Sequence, residues 1–78
     1  MTADLLKRIV VDPKILAGKP IVNGTRISVA QVLGHLAGGW TKPELLENYP
    51  TLKDEDISAC LAYAHDVVAG EDVMPSAA

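Results

Sequence analysis

The sequence predicts a mainly α fold, in which a short N-terminal strand and β-hairpin precede a three-helix, helix-turn-helix-like unit. Three observations predict it. Apolar residues recur at helical spacing over about 29–37, 42–48 and 54–69. Gly38-Gly39 and Tyr49-Pro50 interrupt that periodicity, as helix stops do. Ahead of the first helical stretch lie a β-branched run, Ile9-Val10-Val11, and an Asn-Gly dipeptide at 23–24.

Taken in order, Arg8 to Val11 reads as a strand, stopped by Asp12-Pro13 because proline lacks a ladder donor and favours a turn. Lys14 to Gly18 reads as a single helical turn or loop. Pro20-Ile21-Val22 and Thr25-Arg26-Ile27 then flank Asn23-Gly24, and an Asn-Gly pair suits the positive φ angles of a type I′ hairpin turn. Ser28 stands at the N-cap of the first helix, whose apolar face is Val29, Val32, Leu33, Leu36 and Ala37. Gly34 inside that helix costs about 1 kcal/mol against alanine, so the expectation is that another element approaches it closely. Thr41 and Glu44 form a T-x-x-E capping box with Pro43 in the first turn, and Leu45, Leu46 and Tyr49 give the second helix a short apolar face.

The third helix opens with Asp54, Glu55 and Asp56, carboxylates that favour the positive end of a helix dipole and are expected there as solvated capping charges. Its expected core stripe is Ile57, Cys60, Leu61, Ala64, Val67 and Val68. The opposite side carries Ala59, Ala62, Tyr63 and Ala69 with few charges, so Ala59, Ala62 and Tyr63 are candidates for a dimer or partner interface, together with Trp40, which reads as a packing anchor between helices unless it is exposed. Alanine also tolerates exposure, and solvent is the competing reading of that side. Residues 1–7 are expected to be a flexible N-terminus, 8–69 a single domain and 70–78 a disordered tail.

Seventy-eight residues bury only about 60% of the surface their unfolded chain exposes, so the core is thin. Phe is absent and the aromatics are Trp40, Tyr49 and Tyr63, which leaves aliphatic side chains and alanine to fill it. Cys60 has no second cysteine to pair with, which fits a reducing cytoplasm. No run of about 18 apolar residues occurs, so neither export nor membrane spanning is expected. Charge is segregated. Residues 1–41 carry five cations against two acids, and 42–78 carry two cations against eight acids. Polyanions are therefore drawn to the first half and repelled by the second.

Catalytic chemistry finds no motif. His35 and His65 sit on different helices, no Cys, His and carboxylate set has metal-ligand spacing, and Gly38-Gly39 lacks the lysine of a phosphate loop. No catalytic residue, metal or cofactor is expected. A DNA-reading role for the third helix is also disfavoured, since it carries no Lys or Arg and starts with three acids. If nucleic acid is bound, Lys7, Arg8, Lys19 and Arg26 are the residues placed to meet phosphates.

The segments Arg8 to Pro13, Gly18-Lys19-Pro20-Ile21-Val22-Asn23-Gly24-Thr25-Arg26-Ile27 and Asp56-Ile57 through Ala62-Tyr63-Ala64 resemble a small bacterial antitoxin-like family, the domain of unknown function DUF433. The resemblance spans residues 8–69 and rests chiefly on the G-x-P-x-x-x-G-T-R-I signature. It implies a homeodomain-like helical fold and a type II toxin–antitoxin role, in which such a protein neutralises a PIN-like ribonuclease and represses its own operon. Arg8, Lys19, Thr25 and Arg26 become the partner or nucleic-acid contact candidates. An arginine such as Arg26 would enter the carboxylate-rich metal site of a PIN-like toxin, or would equally hold the hairpin to a carboxylate of its own fold. Where the family pattern has Thr or Ser capping the third helix, this chain has Lys53, and Thr51 or Asp54 is expected to substitute. The expected assembly is a homodimer with a PIN-like toxin partner and operator DNA as a further ligand; a homodimeric adaptor with neither is the alternative.

Overall fold

The computed structural model describes residues 2–70. Its elements are α1 (Thr2–Leu6), β1 (Ile9–Val11), β2 (Pro20–Val22), α2 (Val29–Ala37), α3 (Lys42–Asn48) and α4 (Asp54–Gly70). The fold is mainly helical with a short two-stranded antiparallel sheet at its N-terminal end, in register Ile9 with Val22, Val10 with Ile21 and Val11 with Pro20. Val22, Val29, Val32, Leu45, Leu52, Ile57 and Cys60 form the buried core where α2, α3 and α4 meet the inner face of the sheet.

Local chemistry sets the helix starts. Ser28 caps α2, its hydroxyl accepting the Gln31 N–H at 2.9 Å. Thr41 and Glu44 close the capping box of α3: the Glu44 N–H donates to Thr41 Oγ1, and the Thr41 N–H donates to Glu44 Oε1. Gly38-Gly39 ends α2, with Gly39 at φ +99°, a conformation that glycine adopts without a Cβ penalty. α4 is capped differently from the expectation. Neither Thr51 nor Asp54 substitutes; Asp56, at the third helical position, accepts the Lys53 N–H at 2.8 Å through Oδ2. This is the reciprocal half of a capping box, which needs no hydroxyl at the N-cap.

Four expectations are corrected. The N-terminal residues expected to be flexible are helical over Thr2–Leu6, because α1 has α4 to pack against and Leu5 and Leu6 are half-buried there. The second hairpin strand is β1 and not Thr25–Ile27. The turn at Asn23-Gly24 has positive φ at Gly24 alone (+82°), so it is not type I′, and the Thr25 hydroxyl donates to the Val22 carbonyl and accepts the Ile27 N–H, occupying groups that a ladder would use. The Lys14–Gly18 segment is a single turn ending at Gly18, as expected, and it closes with three successive positive φ angles at Leu16, Ala17 and Gly18, which costs about 1 kcal/mol at each non-glycine position. Gly34 has no other element within 4 Å of where a Cβ would stand. The fourth concerns α4, of which Gly70 is the last residue; the remainder of the expected tail lies outside the described residues.

That fourth correction is the phase of α4. Asp56, Ile57, Ala59 and Cys60 are buried, with Tyr63 packed partly against the core. Leu61 (44% exposed), Val67 and Val68 (73% exposed), expected in the core, face outward. Ala59, expected at an interface, is completely buried. A helix apolar on nearly every side carries no periodic signal strong enough to select a face, and α1, α2 and β1 select it by packing.

Candidate functional site

Most residues of the signature between Gly18 and Ile27 have a definite task in the fold. Gly18 closes the left-handed turn at φ +80°. Pro20 lies in β2, Gly24 supplies the positive φ of the turn, and Ile27 packs half-buried against the core. Thr25 spends its hydroxyl on the backbone of its own turn. Arg26 is exposed and forms no ion pair among the described residues, which sets it apart from the other fixed positions of the signature. It borders a shallow hollow of about 330 Å³ shared with Val10, Asp12, Ile15 and Ile21.

Arg8, the other arginine, is paired within the fold, with its side chain 36% exposed. One guanidinium nitrogen donates to Asp56 Oδ1 at 3.0 Å and the second lies 3.5 Å from Glu55 Oε2. Asp56 is 6% exposed, so the pair ties the start of β1 to the first turn of α4 and answers a carboxylate that burial would otherwise penalise. Arg8 was expected at a contact surface; the three acids of α4 were expected in solvent. Only Asp54 and Glu55 are exposed, and Asp54 sits 3.9 Å from Lys42 Nζ. The signal for Asp56 was present in its spacing from Lys53, the N-cap-to-third-position spacing of a capping box.

Trp40 also belongs to the fold. Its indole stacks on the His35 ring at 4.1 Å, and His35 Nε2 and the Gln31 amide meet the Tyr49 hydroxyl at 3.0 and 2.9 Å. The cluster clamps the end of α2 to the end of α3, the packing role expected of Trp40, which keeps partial exposure. Ala62 and Tyr63 keep partial exposure.

Two surfaces remain uncommitted. Lys14, Lys19 and Arg26 are exposed and form no ion pairs among the described residues, which places unpaired positive charge on the 12–26 segment. Beside Lys19, α2 and the C-terminal half of α4 splay apart to leave a groove of about 370 Å³, walled by Pro20, Val29, Leu33, Tyr63 and Val68. Its lining is apolar, with the Lys19 side chain as its charged member, and that chemistry suits the burial of aliphatic side chains from another chain.

Cys60 is completely buried, and burial, reinforced by the charge of Asp56, pushes its thiol up to about 11, so it stays protonated and unreactive near neutral pH. Among the described residues no three His, Cys, Asp or Glu side chains converge as for a metal ion, and no helix is long and apolar enough to cross a membrane.

The sequence model of the DUF433 proteins, described as proteins of unknown function, matches residues 9–64. An uncharacterized protein of Sinorhizobium fredii, y4eO, is 40% identical over 52 residues, a match that takes in 67% of this chain and 24% of the relative. The chain thus spans about a quarter of the length of that curated relative. The crystal structure of a DUF433 member protein from Anabaena variabilis superposes with a TM-score of 0.76 at 31% identity, covering 87% of this chain and 67% of that one.

Proposed function

Given that this chain belongs to the DUF433 family, we propose that it is the antitoxin-like binding module of a type II toxin–antitoxin pair, a homodimer that neutralises a PIN-like ribonuclease by direct contact and autoregulates its operon. The observation that carries the reading is the division of labour among the fixed positions of the signature: Gly18, Pro20, Gly24, Thr25 and Ile27 serve the turn, the strand and the core, and Arg26 projects without an ion-pair partner among the described residues, as does Lys19 at a variable position of the signature. A planar guanidinium suits a site built from carboxylates, because it pairs with them bidentately and displaces the metal that a ribonuclease of this kind needs. The α2–α4 groove adds the apolar burial that a charged contact lacks. Operator DNA is assigned to the same basic segment, since α4 presents exposed Asp54 and Glu55 and carries no Lys or Arg.

Co-expression with the product of the adjacent reading frame tests the proposal. The native chain is expected to suppress the ribonuclease, and Arg26→Ala to weaken suppression by about 2 to 3 kcal/mol, near a hundredfold, without a change in thermal stability. Suppression left intact by Arg26→Ala removes the assigned role. A promoter-fragment mobility shift at two salt concentrations tests the DNA arm, for which affinity must fall with salt. The apolar groove also favours a second reading, a homodimeric adaptor with neither toxin nor DNA, and the absence of any effect on the neighbouring ribonuclease would select it.

A further inference from the structure

The two outer edges of the sheet differ. Along β2 the edge is closed: Pro20 brings no N–H, the Val22 N–H donates to the Ile27 carbonyl at 2.9 Å, and the Val22 carbonyl accepts from the Thr25 N–H and hydroxyl at 3.0 and 2.8 Å. Along β1 it is open. Opposed residues in an antiparallel ladder alternate between bonded and non-bonded pairs. The Asn23 N–H donates to the Arg8 carbonyl at 2.7 Å, so Val10 and Ile21 form the next bonded pair, while Ile9 and Val11 turn their N–H and C=O groups away from β2. No group of another element among the described residues meets them, and Val11 is 59% exposed. An unprotected edge of β-branched residues is a template for a further strand, and a sheet of two strands is marginal without one.

We propose that a second copy of this chain pairs its β1 antiparallel along this edge, about a two-fold axis at Val10, to give a four-stranded sheet across the dimer. The backbone selects that register. Outward groups at Ile9 and Val11 must face outward groups, and setting Ile9 opposite the partner's Val11 uses both positions twice over. Centring on Ile9 uses one of them, and centring on Val11 brings Ile9 opposite the partner's Pro13, which has no donor. The same register sets Arg8 opposite the partner's Asp12, so opposite charges meet at both ends of the paired segment. Arg8 has donors to spare, since a guanidinium carries five N–H groups and the contacts with Asp56 and Glu55 leave others free. Asp12 uses Oδ1 for the Lys14 N–H, and its second oxygen takes no partner among the described residues.

The inference rests on the homodimer of the functional reading, and the experiment separates the two. Sedimentation equilibrium of the full chain is expected to show a dimer. Val10→Cys is expected to give a disulfide-linked dimer on mild oxidation, because the two Val10 positions face each other as a non-bonded pair, and Val11→Cys, placed opposite Ile9, is not. Cys60 is completely buried and does not compete. Val11→Pro removes an outward donor while costing β2 no ladder bond, and is expected to raise the dimer dissociation constant about tenfold or more with an unchanged circular dichroism spectrum. A dimer that resists Val11→Pro and fails to cross-link at Val10 overturns this interface and leaves the homodimer standing. A wild-type monomer overturns both.

Discussion

The first seven residues of α4 and the last ten belong to one helix but to different environments. From Asp54 to Cys60 the helix is built into the molecule: Asp56 holds Arg8 and the Lys53 N–H, while Ile57, Ala59 and Cys60 are sealed in the core. From Leu61 to Gly70 the burial fades: Leu61 looks outward, and Val67 and Val68 line the α2–α4 groove. Seventeen residues make a helix about 25 Å long, and the short elements around it cover only part of that length. Fold stability is thus concentrated in one half, and the apolar surface available to a partner in the other.

The largest test of that contrast pairs a buried aliphatic with an exposed one. Ile57→Ala is expected to cost about 3 kcal/mol or more in denaturant unfolding, through lost burial and a residual cavity. Val68→Ser is expected to stay within about 0.5 kcal/mol. Equal losses at the two sites would dissolve the distinction between the halves. Asp56→Ala comes next, with an expected loss of about 2 kcal/mol, since it removes a charged hydrogen-bond acceptor of the Lys53 N–H and leaves Arg8 with only the longer contact to Glu55. The same substitution at the exposed Asp54 is expected to be nearly silent.

An effect confined to alkaline conditions sharpens the comparison through pH. In the folded chain burial raises the Cys60 thiol from 9.0 to about 11. The folded state therefore holds that proton more tightly than the unfolded state. The contribution is fully present below about pH 9 and is lost as pH climbs toward 11, by up to about 2 kcal/mol. Thermal melts of the native chain and Cys60→Ala across this window measure the difference in slope. Parallel curves would mean that the thiol is not enclosed as described.

Much of this fold was legible because its signals are local. Ser28, Thr41 with Glu44, and Gly38-Gly39 act on backbone groups within four residues of themselves, and α2 and α3 begin and end where those residues require. The candidate site was legible only in part. Asn23-Gly24 marked a turn, but the Thr25 hydroxyl redirected the chain after it, and β2 paired instead with a strand upstream. Arg8 and Arg26 are indistinguishable by type. Arg8 lies 48 residues from the carboxylate that claims it, a separation that no pattern along the chain measures.

The sequence by itself determined the mainly helical class, the caps and breaks of α2 and α3, and the segregation of positive charge into the N-terminal half, since each follows from residue type and short spacing. The tertiary structure decided which side of α4 is covered, which arginine is left free and which sheet edge stays open. Those outcomes depend on groups distant in sequence competing for the same space and the same hydrogen bonds, and a helix apolar on nearly every side accepts whichever neighbours the rest of the chain brings to it.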